Sequence, residues 1–193
     1  MEEPRPRDAR KLVAYYETKY RGRYFEEETL LADMNESLRE DIAYQNTVTL
    51  LQKVPFFQRD LKDGRDEAFL RRIAAALQAR YYIPRDFLFQ QGDPGNELFF
   101  MLSGKTTAFV NGVERGAFYE GDFFGEIAFL KSTKRAATVQ AAFPTMVYRL
   151  GKKEFVRIMA EFPEMDDLIE QAKAGTLLTK IANAQGEKSS FAK

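Results

Sequence analysis

The chain of 193 residues contains no cysteine, no histidine and no tryptophan. The absence of cysteine excludes disulfide bonds and thiolate chemistry, and the absence of histidine removes the commonest metal ligand and general base. Lysine plus arginine and aspartate plus glutamate are equal in number, at 29 each, so the formal net charge is zero. A surface that binds nucleic acid normally shows a basic excess, so we expect no nucleic-acid partner.

Long apolar segments are also missing from the sequence. No apolar run reaches the ~18 residues that are needed to span a bilayer, and no signal peptide is visible. We therefore expect a soluble, cytosolic chain that does not insert into a membrane. Its length allows one moderate domain with an appendage.

Roughly the first fifty residues have the apolar spacing of helices. Predicted helices cover residues 8–20 and 26–34. Ser37 and Glu40 match a Ser-x-x-Glu capping box, which predicts a third helix that ends before Pro55. The residues that this third helix is expected to bury are Leu38, Ile42, Leu50 and Leu51. A further helical face over residues 66–77 consists of Phe69, Leu70, Ile73, Ala74 and Leu77.

The middle of the chain changes to short strands that are separated by turn residues. Seven strand ranges are predicted, in a region whose spacing suits about eight strands: 79–83, 87–90, 98–102, 106–110, 114–118, 135–141 and 145–150. Helices return over residues 152–162 and from Pro163 onward. The expected fold is α+β: a helical segment followed by an eight-stranded antiparallel jelly-roll β-barrel with flanking helices.

The most informative stretch is residues 123–140, which read FFGEIAFLKSTKRAATVQ. Gly125 opens a short turn into a helix, and Arg135 follows ten residues later, at the start of a predicted strand. Free N–H groups at a helix start and a fixed cation both favour a phosphate. Glu126 would repel a bare phosphate, but it suits a ligand that also presents hydroxyls, as a ribose does. The pattern therefore predicts a nucleotide site.

This stretch resembles the phosphate-binding cassette of cyclic-nucleotide-binding domains, which protein kinase A regulatory subunits, bacterial catabolite activators and cyclic-nucleotide-gated channels share. The resemblance implies that amides around Gly125 and the side chain of Arg135 bind the cyclic phosphate, and that Glu126 accepts the ribose 2′-hydroxyl. The implied binding residues are Phe124, Gly125, Glu126, Ile127, Ala128, Arg135 and Ala136, joined by Ala108, Phe118, Thr176, Leu177 and Lys180. The implied ligand is cAMP or cGMP, with no cofactor, no metal and no catalysis.

The predicted helical segment before residue 58 indicates which branch of this family the chain resembles. Tyr15-Tyr16-Glu17, Tyr20-Arg21-Gly22-Arg23, Phe25-Glu26-Glu27-Glu28, Leu38-Arg39-Glu40-Asp41-Ile42 and Pro55-Phe56-Phe57 resemble the C-linker of hyperpolarisation-activated and cyclic-nucleotide-gated channels. This implies a C-linker fragment over residues 8–57, a nucleotide domain over 58–182 and a flexible tail over 183–193. It also implies a gating module of a potassium-type cation channel at the cytoplasmic face of the membrane. We expect a homotetramer in the full-length channel and a monomer for this fragment.

The resemblance also predicts selectivity and motion. Family members that favour cGMP place a threonine directly after the cassette arginine, whereas this chain has Ala136, so we expect cAMP to bind better than cGMP. An arginine found near the base in related channels is replaced by Thr176. Gly175 interrupts the final helix, and we expect residues 176–181 to dock only when ligand is present.

Other protein classes remain open at this point. A regulatory subunit of a cyclic-nucleotide-dependent kinase is the main alternative, because the cassette segment from Arg135 to Val139 resembles that family closely. Against it, the chain has one nucleotide domain and no arginine-rich inhibitory segment. A catabolite activator would need a helix-turn-helix, and only about thirty residues follow Phe162. A jelly-roll enzyme is disfavoured, because histidine, cysteine and a paired-carboxylate motif are all missing.

Overall fold

The computed structural model describes residues 34–58 and 64–174. The helices in this part of the chain are α1 (Glu36–Leu51), α2 (Asp66–Ala76), α3 (Glu126–Lys131), α4 (Lys152–Glu161) and α5 (Asp166–Lys173), with 3₁₀ turns at Pro55–Phe57 and Pro163–Met165. The predicted helix over residues 8–20, all but the last residue of the one over 26–34, and the predicted tail lie outside the described residues. No helix in the described ranges is long and apolar enough to cross a membrane.

Helix α1 begins at a different cap from the one predicted. Asn35 has an extended backbone, and its side chain accepts a hydrogen bond from the Leu38 amide at 2.9 Å. The predicted capping box at Ser37 and Glu40 is therefore wrong, because a good cap two residues earlier has already started the helix. Ser37 consequently lies inside the first turn of α1.

The predicted burial along α1 is also wrong at one end. Leu51 is fully buried and Thr47 is nearly so, but Leu38 is 46% exposed. At 3.6 residues per turn, the nine positions between Leu38 and Thr47 place them on opposite sides of the helix. The apolar residue near the start of α1 therefore points away from the face that packs.

Helix α2 buries the predicted face, with Phe69, Leu70, Ile73 and Ala74 in the core. Ion pairs connect its outer face to two other helices. Arg71 pairs with Asp41 of α1, and Arg72 pairs with Glu161 at the end of α4 at 2.7 Å. Helix α2 thus joins α1 to the helices that follow the strands.

The strands form two four-stranded antiparallel sheets, as the jelly-roll prediction requires. Their bounds are β1 (Gln78–Tyr82), β2 (Phe87–Phe89), β3 (Glu97–Ser103), β4 (Lys105–Val110), β5 (Val113–Tyr119), β6 (Phe123–Phe124), β7 (Thr138–Ala141) and β8 (Thr145–Gly151). One sheet has the order β1-β8-β3-β6 and the other the order β2-β7-β4-β5. The predicted α+β fold with eight antiparallel strands is confirmed.

Strand β3 explains how the two cores are divided. Phe99 and Met101 join residues of the other sheet in an interior cluster between the sheets. Leu98 and Phe100 point the opposite way and pack under α2 and α4. Because successive side chains in a strand alternate between faces, a strand that is covered on both faces is apolar throughout.

The segment that carries Arg135 differs from the prediction. Strand β7 begins only at Thr138, so the predicted strand over residues 135–141 is wrong for its first residues. The Arg135 amide donates to the Asp93 carbonyl at 2.8 Å, and the Arg135 carbonyl accepts from the Gly92 amide at 2.9 Å. Arg135 is thus held against the turn between β2 and β3, ahead of the sheet.

Candidate functional site

A cavity of about 170 Å³ opens where α3, β7 and the β4–β5 hairpin meet. Its lining residues are Phe89, Ala108, Phe118, Phe124, Gly125, Glu126, Ile127, Ala128, Lys134, Arg135, Ala136, Ala137 and Val139. Every predicted site residue that the structure describes lies in this lining. Thr176, Leu177 and Lys180 lie outside the described residues.

Both the backbone conformation and the surroundings of position 125 favour a glycine there. It caps α3 with φ of +87°, in the left-handed region that favours glycine. A Cβ atom at this position would lie 2.6 Å from Arg135 Nη1 and 3.3 Å from the Glu97 carbonyl oxygen. A side chain at position 125 would therefore displace the arginine.

Arg135 is a buried cation whose direct partners are uncharged. Its Nη1 donates to the Gly125 carbonyl at 2.9 Å, and its Nη2 donates to the Glu97 carbonyl at 2.6 Å. The residue is 3% exposed, and its Nε–H has no hydrogen-bond partner. No carboxylate in the described ranges lies within 4.0 Å of the guanidinium. An arginine has five N–H donors, so these two carbonyls leave three of them unused.

Burial also affects the ionisation of the charged groups at the cavity. Burial lowers the pKa of the Arg135 guanidinium, and the charges of Glu97, Glu126 and Asp93 act in the opposite direction. Burial raises the pKa of the Glu126 carboxyl, although its own backbone N–H and the charge of Arg135 favour the ionised form. An arginine stays protonated in proteins, so the Arg135 guanidinium is a cation at the cavity. The ionised form of the neighbouring Glu126 carboxyl is disfavoured by burial.

Aromatic rings form the apolar side of the cavity. Phe118 and Phe124 stack with ring centroids 4.5 Å apart, and Phe99 stacks behind Phe124 at 5.4 Å. Ala108 and Val139 extend this wall with small side chains. A flat apolar wall and a buried cation in one cavity suit a planar ring that carries a phosphate.

Helix α3 is fixed from two sides. Gly95 lies so close to α3 that an added Cβ atom would come within 2.6 Å of the Ala128 carbonyl carbon. At the other end, Lys152 Nζ donates to the Phe129 carbonyl at 2.6 Å. A cation at the C-terminal carbonyls of a helix is favourable. These contacts hold the amides after Gly125 in place.

Some lining residues were not predicted from the sequence. Lys134, Ala137 and Val139 lie within the informative stretch, and their position beside Arg135 was the available signal. Phe89 is far away in sequence, so no local pattern pointed to it. Glu97 acts on Arg135 through its backbone carbonyl, which any residue type could supply.

Comparison with known proteins identifies the class of this domain. Residues 79–162 match the family model described as the cyclic nucleotide-binding domain. This match covers all but the first residue of β1, the strands from β2 to β8 and all of α4. Residues 79–162 are therefore similar to cyclic nucleotide-binding domains over nearly the whole of the two sheets.

The similar proteins narrow the class further. Potassium/sodium hyperpolarization-activated cyclic nucleotide-gated channel 4 of Homo sapiens is 29% identical over 161 residues, which is 83% of this chain and 13% of that protein. Channel 3 of Homo sapiens is 29% identical over 174 residues, or 90% of this chain and 22% of that protein. Channel 1 of Rattus norvegicus is 29% identical over 83% of this chain and 17% of that protein.

The family match and these relatives together support a cyclic nucleotide-binding domain of the hyperpolarization-activated channel type. The chain spans less than a quarter of the length of each of these channels, with 13% and 22% as the extremes among them. These three relatives are channels by name, which agrees in outline with the prediction of a regulatory module.

Proposed function

We propose that the cavity binds a cyclic nucleotide, with cAMP preferred over cGMP, and that the chain is the regulatory module of a cyclic-nucleotide-regulated cation channel. The observation that carries this proposal is Arg135, a buried cation that lines the cavity and whose Nε–H has no hydrogen-bond partner. A buried charge is costly unless it is paired. An anionic ligand is the partner that would complete the site.

The remaining parts of a cyclic nucleotide have partners in the same lining. The amides that follow Gly125 and the guanidinium of Arg135 would hold the cyclic phosphate, because both favour an anion. Glu126 would accept the ribose 2′-hydroxyl. The base would lie toward Ala136 and the aromatic wall, where position 136 offers no hydroxyl to a guanine amino group.

Transmission to a pore would require a mechanical connection between the cavity and α1. Phe57, in the turn after α1, packs its ring 5.8 Å from Phe69, 6.4 Å from Phe100 and 6.3 Å from Phe155. Lys53 donates to the Gly121 carbonyl at 3.4 Å, just before β6 and the Gly125 turn. These contacts support transmission from the nucleotide site to the linker.

The proposed mechanism is a population shift. The ligand would favour a state in which residues 176–181, through Thr176, Leu177 and Lys180, close over the base, and this closure would act on the linker. A ligand shifts such an equilibrium only by its differential affinity for the two states. A tenfold ratio is worth about 1.4 kcal/mol per subunit, so four subunits of a homotetramer at the cytoplasmic face of the membrane would provide a useful bias.

Calorimetric titration of the chain with cAMP, cGMP and the open nucleotide 5′-AMP tests the ligand. We expect cAMP to bind at one site, cGMP to bind more weakly, and 5′-AMP to bind weakest because its phosphate is not cyclic. Ala136→Thr should raise the affinity for cGMP. Absence of cAMP binding would refute the proposal, and equal or reversed affinities for cAMP and cGMP would refute the selectivity.

A kinase regulatory subunit remains the second candidate, because the cassette segment from Arg135 to Val139 resembles that family. The three relatives described above are channels by name, which favours the first candidate. A pull-down with a kinase catalytic subunit separates the two. Capture that cAMP releases would support the kinase alternative.

A further inference from the structure

We propose that Phe89 is a positioning residue that holds the Arg135 guanidinium ready for an anion without occupying its N–H donors. This inference rests on the proposed cyclic-nucleotide site. The Phe89 ring lies at the end of β2, and Arg135 Cζ is 4.1 Å from its centroid. A guanidinium over an aromatic face at this distance is attracted by the ring quadrupole.

The ring is itself held by neighbouring aromatic side chains. Its centroid lies 5.5 Å from that of Phe99 and 6.0 Å from that of Phe124. Phe99 also faces the cation, with Arg135 Cζ 5.6 Å from its centroid. The guanidinium thus lies near two phenylalanine rings, and neighbouring aromatic side chains hold the Phe89 ring in place.

The chemistry of the other partners shows why a ring suits this position. The Gly125 and Glu97 carbonyls use two of the five N–H donors of Arg135. A carboxylate here would neutralise the cation but would compete with a phosphate for the remaining donors. An aliphatic side chain would leave those donors free but would not stabilise a cation that is 3% exposed. An aromatic face stabilises the charge and leaves the donors free.

The backbone of β2 is shaped to present this ring. Phe87 pairs with Gln140 and Phe89 pairs with Val139, so a β-bulge separates the two phenylalanines. In a regular strand Phe87 and Phe89 would share one face. Instead Phe87 is 50% exposed, whereas Phe89 lines the cavity and packs against the interior cluster that contains Leu88. Bulges beside functional sites commonly redirect a side chain in this way.

The binding test compares Phe89→Leu, Phe89→Tyr and Phe87→Leu by calorimetric titration with cAMP. Phe89→Leu should weaken binding about three- to tenfold, because the cation–π contact is lost. Phe89→Tyr keeps an aromatic face and should stay within about twofold of the parent, and so should the exposed control Phe87→Leu. Phe89→Met serves as a second apolar variant if Phe89→Leu does not fold, as judged by circular dichroism.

A double variant separates positioning from direct contact with the ligand. If Phe89 acts through Arg135, Phe89→Leu should cause no further loss of cAMP affinity in an Arg135→Ala background. A loss of the same size in both backgrounds would mean that the ring acts on the ligand directly, and would overturn the inference. Unchanged affinity in the single Phe89→Leu and Phe89→Met variants would overturn it as well.

A ligand-free measurement distinguishes failure of this inference from failure of the proposed function. In proton–nitrogen spectra of arginine Nε–H groups, Phe89→Leu should move the Arg135 signal because the ring current is removed, while Phe87→Leu should not. An unmoved signal would refute the contact even if cAMP binds. A moved signal in a protein that does not bind cAMP would keep the contact and refute the cyclic-nucleotide function.

Discussion

Among single residues, Gly125 and Arg135 depend on each other most directly. The left-handed backbone of Gly125 turns its carbonyl toward Arg135 Nη1, and its missing side chain leaves room for the guanidinium. A substitution at Gly125 therefore combines two effects, backbone strain and displacement of the cation. A second glycine with a similar backbone but open surroundings separates them.

We expect Gly125→Ala to weaken cAMP binding at least tenfold, because an added Cβ atom would lie 2.6 Å from Arg135 Nη1. Backbone strain should also lower the free energy of unfolding by about 1–2 kcal/mol. Gly112→Ala is the matched control, since Gly112 has φ of +78° and no heavy atom within 4 Å of an added Cβ. It should lose stability but keep its affinity. An equal loss of affinity in both variants would contradict this explanation.

Glu126 should make stability depend on pH. Burial raises the pKa of its carboxyl in the folded state. At low pH the carboxyl is protonated in both the folded and the unfolded protein. As pH rises from the ordinary glutamate pKa through the raised pKa, the unfolded protein ionises first, so the free energy of unfolding falls. Glu126→Gln should therefore gain free energy of unfolding over the parent as pH rises through this window, and match its pH trend below the window. Denaturant unfolding of both proteins from acid to neutral pH measures the difference in their free energies of unfolding. A difference that grows as the pH is lowered would contradict this prediction.

At the level of elements, the position of α3 determines where the amides after Gly125 point. The turn between β2 and β3 packs on α3 through Gly95, and Lys152 of α4 binds its last carbonyls. The same turn holds the backbone of Arg135 through Asp93 and Gly92. One turn therefore sets the relative position of the helix and the arginine.

Gly95→Ala should disturb both the fold and the site. The new Cβ atom would lie 2.6 Å from the carbonyl carbon and 2.7 Å from the carbonyl oxygen of Ala128, which are backbone atoms that cannot easily give way. Overpacking of this kind costs about 1–3 kcal/mol, and the shift of α3 should weaken cAMP binding. Gly116→Ala in β5 meets no heavy atom within 4 Å and should change stability by less than about 0.5 kcal/mol. Thermal unfolding and titration of both variants check this; two indistinguishable variants would show that Gly95 does not position α3.

The sequence predicted the elements well where one face or both faces of an element are regularly apolar. Helix α2 and strand β3 are examples, because burial repeats with the period of the element. The sequence failed at Arg135, where small and β-branched residues suggested a strand but the backbone bonds to a turn far away in sequence. Asn35 and Ser37 are equally good caps, so local chemistry could not choose between them.

The site was predictable as far as its residues are local. The Gly125 turn and Arg135 lie within eleven residues of each other along the chain and meet in the structure. The ring of Phe89 and the carbonyl of Glu97 reach Arg135 only because β2 and β3 are brought beside it. Such contacts depend on topology and on a β-bulge, neither of which a local sequence pattern encodes.

Across the whole molecule, helices from both ends of the described chain share one core with the outer face of the β3–β8 sheet. Leu51 and Phe57 from the start of the chain meet Phe155, Phe162 and Ile169 from its end. Arg71 and Arg72 add ion pairs between these helices, which are exposed and contribute little stability individually. Packing contacts in this core, rather than the ion pairs, would therefore transmit movement of the last helices to α1.

We expect hydrogen exchange to report this coupling when cAMP is added. Protection should increase over residues 176–181, because the sequence predicts that this segment docks when ligand is in the cavity. These residues lie outside the described part of the chain. Protection should also increase over α3, which borders the cavity. The measurement is exchange mass spectrometry with and without cAMP, with Arg135→Ala as the control. Equal protection of residues 176–181 in both conditions would contradict the proposed closure.

If Arg135 anchors a cyclic nucleotide, its removal should weaken cAMP binding in a calorimetric titration. Parent protein, Arg135→Ala and Arg115→Ala are titrated with cAMP by calorimetry; Arg115 is an exposed arginine of β5 outside the cavity lining. A charge-assisted contact contributes roughly 1.5–3 kcal/mol, so Arg135→Ala should lose at least tenfold in affinity with its fold intact. Arg115→Ala should bind like the parent. Equal cAMP affinity in all three proteins, or no binding by the parent, would refute a nucleotide site anchored by Arg135.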